Sequence, residues 1–236
     1  MSIFQIIIII ILGLLPSFIC LLYYLRKDFH PEPMRIIVKL FAIGFLITIL
    51  AAVIELYGQH FLKGIVKNII IIIIGGAFIE EFLKYGVARQ IIARNKKEFN
   101  EPTDAMIYLI VVALGFAASE NIIILLGSSL NGESINQIIT ITILRFWGAT
   151  LLHTLSSGII GYYLAQKYFL LKKYQLIQGF IFATILHTVF NYFIITTQNI
   201  KYIEYKYFFL SLIIILLGAG LFIAHKEFKK LNLNEK

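Results

Sequence analysis

The stretch GGAFIEEFLKYG, residues 75–86, sets Glu80 beside Glu81 with Lys84 one helical turn further on, among neighbours apolar enough to lie in a bilayer. Unpaired ionisable groups in hydrocarbon cost several kcal/mol each, so such a trio faces an interior cavity and marks a functional site. Helical spacing lets Lys84 reach either carboxylate, at i+4 from Glu80 and i+3 from Glu81, while the two carboxylates diverge by about 100°. One glutamate can then be held by the lysine while the other stays free. A free carboxylate in a partly wet, low-dielectric cavity suits a general base that deprotonates water.

Further groups of the same kind recur along the chain. Glu120 and Asn121 lie in GFAASEN, Arg145 and His153 in RFWGATLLHTLSSG, and His187 and Asn191 in LHTVFNY, with Asp104 close behind Pro102. Arg145 reads as a partner for Glu120, and Asp104 as a charge at a helix start. Ser119, Ser156 and Ser157 have no recognisable activating base nearby in sequence and suit helix contacts instead.

These residues must be positioned by membrane helices. The chain has 236 residues, 59% of them hydrophobic, with a mean hydropathy of +0.86. Apolar runs of about 20 residues match the hydrocarbon thickness, and runs without strict alternation make helices and not a closed barrel. The fold class is all-α: a polytopic membrane protein of about seven transmembrane helices, near 3–25, 36–57, 68–88, 104–126, 138–165, 175–197 and 207–225. The polar residues fall on spans 3 to 6, which predicts a shared catalytic cavity there. Residues 1–236 read as one integral membrane domain, with the first apolar run retained as a span. Glu55 and Lys39 lie close enough to interfaces to snorkel. Gly75, Gly76, Gly86 and Gly115 are expected to let helices approach closely around the catalytic water.

Counting residues along each span at about 1.5 Å apiece puts Glu80, His153 and His187 near the midplane. Glu120, Arg145 and Asn191 fall nearer the outer face, and Lys84 and Asp104 further inward. The connections after spans 1, 3 and 5 and the C-terminal tail carry 14 Lys and Arg, whereas the opposite side carries Lys63, Lys67, Lys201 and Lys206. The positive-inside rule then predicts an outside N-terminus and a cytoplasmic C-terminus in the cell membrane. The formal net charge of +8 is spread over short loops without an aromatic-interleaved patch, so the expected partners are lipid and not nucleic acid. The single cysteine, Cys20, excludes a disulfide framework and a cysteine metal cluster.

EEFLK, FAASEN, HTLSSG and LHTVFN, in this order over residues 75–192, resemble the successive motifs of the PrsW family of intramembrane proteases. That family is similar to the type II CAAX prenyl proteases and to the APH-1 subunit of γ-secretase. The resemblance implies a protease whose site contains Glu80, Glu81, Glu120, His153 and His187, with Lys84, Asn121, Arg145, Asn191 and Asp104 supporting. It implies a membrane-embedded protein substrate, such as a single-pass anti-sigma factor. Glu120 stands where the CAAX relatives have histidine, which disfavours a CAAX-type activity. Two mechanisms are compatible with it. In the first, which is the expectation, no cofactor is used: Glu80 activates water, and His187 with Asn191 or His153 donates to the oxyanion. In the second, Glu120, His153 and His187 bind Zn²⁺ and Glu80 is the base. The depth offset of Glu120 from the histidines favours the metal-free version. A non-catalytic APH-1-like scaffold and a proton-coupled transporter are the rivals from other classes, the transporter disfavoured by the lack of repeated halves.

Overall fold

The computed structural model describes residues 2–27, 30–62, 68–170, 174–199 and 203–233. Among them the chain is helical throughout, as α1 (Ile3–Leu25), α2 (Met34–Leu62), α3 (Ile69–Arg94), α4 (Pro102–Leu130), α5 (Ile135–Arg145), a π-helical turn (Phe146–Thr150), α6 (Leu151–Phe169), α7 (Gln175–Asn199) and α8 (Ile203–Leu233). The π turn joins α5 to α6, so the seven expected spans each correspond to one continuous helical stretch. Among the described residues, five stretches are long and apolar enough to cross a membrane: α1, α2, α4, the α5–α6 unit and α7. In α3 the apolar run is interrupted by Glu80, Glu81 and Lys84 themselves, and in α8 the apolar part described is Leu210–Ala224. Lys63, Lys67, Lys172, Lys173, Lys201 and Lys236, counted above for orientation, lie outside the described residues.

Local signals set the helix ends. Ser2 with Gln5 and Ser134 with Gln137 form capping boxes at the starts of α1 and α5. Asn68 caps α3 by accepting from the Ile70 N–H at 2.9 Å. Pro102 starts α4, where its missing N–H costs nothing.

Helix α4 is the hub. From Thr103 to Ser119 every residue is buried, because α1, α2 and α6 pack around it. Its small residues make this possible. A Cβ on Gly115 would collide with the Phe41 carbonyl oxygen, one on Gly44 with the Val112 carbonyl oxygen, and one on Gly161 would lie 2.7 Å from the Ala105 carbonyl oxygen. The α2–α4 and α4–α6 backbones therefore approach more closely than any larger residue allows. Gly75 and Gly86 differ from expectation, since nothing lies within 4 Å of a Cβ on either. Helix α7 packs on α3 and α6, closing the ring α3–α4–α6–α7 around the polar residues. The outward surfaces of α1 and α2 carry large exposed hydrophobics such as Phe18, Leu22, Leu46 and Leu50, the surface expected of lipid-facing helices.

Candidate active site

The glutamates, lysine and histidines of α3, α4, α6 and α7 form one connected cluster. Lys84 is fully buried and its Nζ is 2.9 Å from Glu81, 3.3 Å from Glu80 and 2.9 Å from His153 Nδ1. An ammonium has three N–H bonds, and these three partners use all of them. It also lies 4.3 Å from the centre of the Phe116 ring, a cation–π contact. Since Lys84 donates to Nδ1, the His153 proton sits on Nε2 and is donated to Glu120 at 2.9 Å.

Glu81 is the structural anchor. Lys84, Ser156 at 2.9 Å, Ser157 at 2.9 Å and His187 Nδ1 at 3.1 Å all donate to its carboxylate. Three of these donors converge on Oε1 and Ser157 alone reaches Oε2, and the residue has no solvent exposure. Ser156 and Ser157 thus support Glu81. The sequence signal for this is HTLSSG itself, which puts both hydroxyls within a turn of His153.

Glu80 has a different setting. Of the three clustered glutamates it alone lines a cavity of about 870 Å³ between α2, α3 and α7, which it shares with Glu55, Gln59, His60, Gly76 and Asn191. With Nδ1 of His187 held by Glu81, its Nε2 lies towards Glu80, 3.8 Å from the nearer oxygen. Asn191, one turn beyond His187, reaches the same cavity.

Glu120 is joined to the cluster through His153 and is also paired with Arg145 Nη2 at 3.0 Å. Arg145 Nε donates to Asn121 Oδ1 at 2.6 Å, and Asn121 in turn donates to Thr150. The expected outward offset of Glu120 and inward offset of Lys84 are therefore closed by their side chains. Side chains on a helix lean towards its N-terminus. Antiparallel α4 and α6 lean Glu120 and His153 towards each other, and Lys84 leans back along α3 onto Glu80. A depth count on α-carbons misses this.

The lean removes the depth argument against a metal and changes the candidate ligands. The set that converges is Glu80, His153 and His187, whose ligand atoms lie within 4.8 Å of one another, in place of Glu120, His153 and His187. Two imidazoles and a carboxylate fit zinc chemistry, and each histidine has its other nitrogen fixed by a second carboxylate, Glu120 or Glu81. To ligate through Nδ1, His153 would have to exchange Lys84 for the ion.

Two residues stand apart from the cluster, and Asp104 is at the helix start where its charge was expected. Asp104 accepts from the N–H groups of Asn100 and Glu101 in the capping box that starts α4. It lies 16 residues, about 24 Å along the helix, from Glu120. Glu55 is the second. It lies over Gly76 on the wall of the Glu80 cavity. Hydropathy gave no sign of this, because Glu55 precedes the end of α2 by only two turns.

Residues 32–219, which include all four clustered helices, match the PrsW family intramembrane metalloprotease. Protease PrsW of Geobacillus kaustophilus is 28% identical over 196 residues, 80% of this chain and 81% of that protein. Protease PrsW of Clostridioides difficile is 25% identical over 86% of this chain and 83% of its own length, and that of Bacillus subtilis 24% over 91% and 93%. No solved structure matches. The family match spans most of the chain and takes in every residue of the glutamate–histidine cluster, so this multi-pass membrane protein belongs to the PrsW family of intramembrane proteases.

Proposed function

We propose that the chain is an endopeptidase that hydrolyses a peptide bond in or beside a membrane-embedded substrate, with Glu80 as the base that activates water. The carrying observation is the division of labour in EEFLK: Glu81 is fully buried and held by four donors, whereas Glu80 faces the cavity. Glu80 takes a proton from water while the His187 Nε2 lone pair accepts the other hydrogen and orients the attacking oxygen. This role replaces the expected donation from His187 to the oxyanion, and leaves that task to the Asn191 carboxamide. Protonated Glu80 then returns its proton to the leaving amine. His153 acts at one remove, tying Lys84 to Glu120. Where a divalent ion is bound, Glu80, His153 and His187 would hold it and it would supply Lewis-acid activation of the water. The substrate class is a single-pass membrane protein such as an anti-sigma factor. The N-terminus faces out and the tail is cytoplasmic.

The test is purified protein with a peptide-bond reporter, comparing wild type, Glu80→Gln and chelator treatment. A base contributes about 10²–10⁴-fold, so Glu80→Gln should leave well under about a tenth of wild-type turnover. More than that transfers the role to Glu120. Wild-type activity should survive the chelator; loss restored by Zn²⁺ assigns the metal mechanism. An inactive wild type favours the non-catalytic scaffold.

A further inference from the structure

The cavity in front of Glu80 contains a second carboxylate with nothing to bind. Glu55, on α2, has a buried Oε1 with no hydrogen-bond partner. Its carboxyl carbon lies 3.6 Å from where a Cβ on Gly76 would be, so it sits over the α3 backbone at a point where that backbone carries no side chain. A buried carboxylate oxygen left unpaired is costly. Its retention calls for a donor that arrives with a ligand.

The chemistry of that donor follows from the walls. Glu55, Gln59, His60, Glu80 and Asn191 provide the polar lining, and the remaining lining residues carry no Lys or Arg. Lys84 is buried behind Glu80 with its three N–H bonds already used, and Arg145 is committed to Glu120 and Asn121. Among the described residues the cavity therefore holds two carboxylates and no cation that can turn towards Glu55. About 870 Å³ is room for several residues of extended peptide, and Glu55 and Glu80 both line it.

Building on the proposed hydrolase function, we propose that Glu55 is a specificity-determining residue that accepts the Lys or Arg side chain of a substrate beside the scissile bond. The positive charge pairs with the unpartnered oxygen, and the cavity leaves space for the long aliphatic stem. The peptide is thereby fixed in register with Glu80. An acidic side chain at the same point is repelled.

The experiment uses reporter peptides with a membrane-spanning segment in which one residue at a time, on either side of the cleavage point, is Lys, Met or Glu. Binding is measured on the full-length Glu80→Gln protein in proteoliposomes, and cleavage on the wild type. At one position Lys should be favoured over Met by about tenfold, a partly desolvated ion pair, in both readouts. Glu55→Gln should bring that ratio close to one, and Glu55→Lys should turn it in favour of Glu. Indifference of the unsubstituted Glu55 to charge at every position overturns the proposal, as does a Lys:Met ratio unchanged by Glu55→Gln. A Lys preference in binding without any cleavage by the wild type would instead overturn the hydrolase reading and leave the cation subsite standing.

Discussion

Lys84 is the residue on which the cluster converges. It pairs with both Glu80 and Glu81 and fixes the tautomer of His153. Lys84→Met keeps an unbranched side chain of similar length but removes the cation that two carboxylates share, and breaking a buried pair in this way costs about 3–5 kcal/mol. Lower yield, a lower melting temperature and loss of cleavage should appear together; normal yield with full activity would show that the ammonium does not hold the site. The serines allow a subtler test. Ser156→Ala combined with Ser157→Ala removes two of four donors to Glu81, each worth about 1.5–3 kcal/mol as a bond to a charged group. Their loss should reduce kcat and stability while the single variants fall between, as followed by thermal unfolding and turnover. Were Ser156 or Ser157 a nucleophile, one single variant would be as dead as the double.

The helices explain both what the sequence made legible and what it hid. Hydropathy located the helical stretches, and the four charged motifs named the helices that carry the polar cluster, because a charge in hydrocarbon is conspicuous; the cavity beside Glu80 is lined instead by α2, α3 and α7, and no motif marked α2. The lean of Lys84, Glu120 and His153 was invisible to a count of residues. So was the π turn at Phe146–Thr150. Arg145 and His153 are eight apart, which on a regular α-helix separates them by about 80°; one residue absorbed in the wider turn brings them within about 20° of one face. Both can then meet Glu120. Glycine spacing was also ambiguous from sequence, since it does not say which glycines meet a backbone. Gly115→Ala forces the α2–α4 crossing apart and should destabilise by about 1–3 kcal/mol. Gly75→Ala and Gly86→Ala meet open space and should lower stability by no more than about 0.5 kcal/mol. Equal effects at Gly115 and Gly75 on thermal unfolding in detergent would contradict this packing.

At the scale of the whole molecule, two exposed pairs connect the α1–α2 and α3–α4 connections: Arg35 with Glu98 at 2.7 Å, and His30 with Glu101. Exposed pairs add little stability, about 0–1 kcal/mol, but they place both connections at one end of the bundle. With the excess of Lys and Arg in such connections, that end should be cytoplasmic. Cysteines introduced at Asn95 and Asn131 should label from opposite sides of the membrane, Asn95 from the cytoplasmic side. Labelling of both from one side would rule out the orientation.

The position of Lys84 also bears on how the protein is made. At the centre of a bilayer each acidic or basic residue of α3 adds about 2.5–3.5 kcal/mol to the cost of inserting that helix alone. The groups that offset this cost are supplied by later parts of the chain: His153, Ser156 and Ser157 from α6, then His187 from α7. When α3 leaves the ribosome it is therefore a poor span, and becomes a good one only as its neighbours arrive. Chains arrested before α6 should leave α3 exposed to alkali extraction or to quality-control proteases, whereas chains extended past α7 should retain it. Assembly of the hydrolytic centre and commitment of α3 to the bilayer would then be one event, so that a half-made chain cannot cut its neighbours.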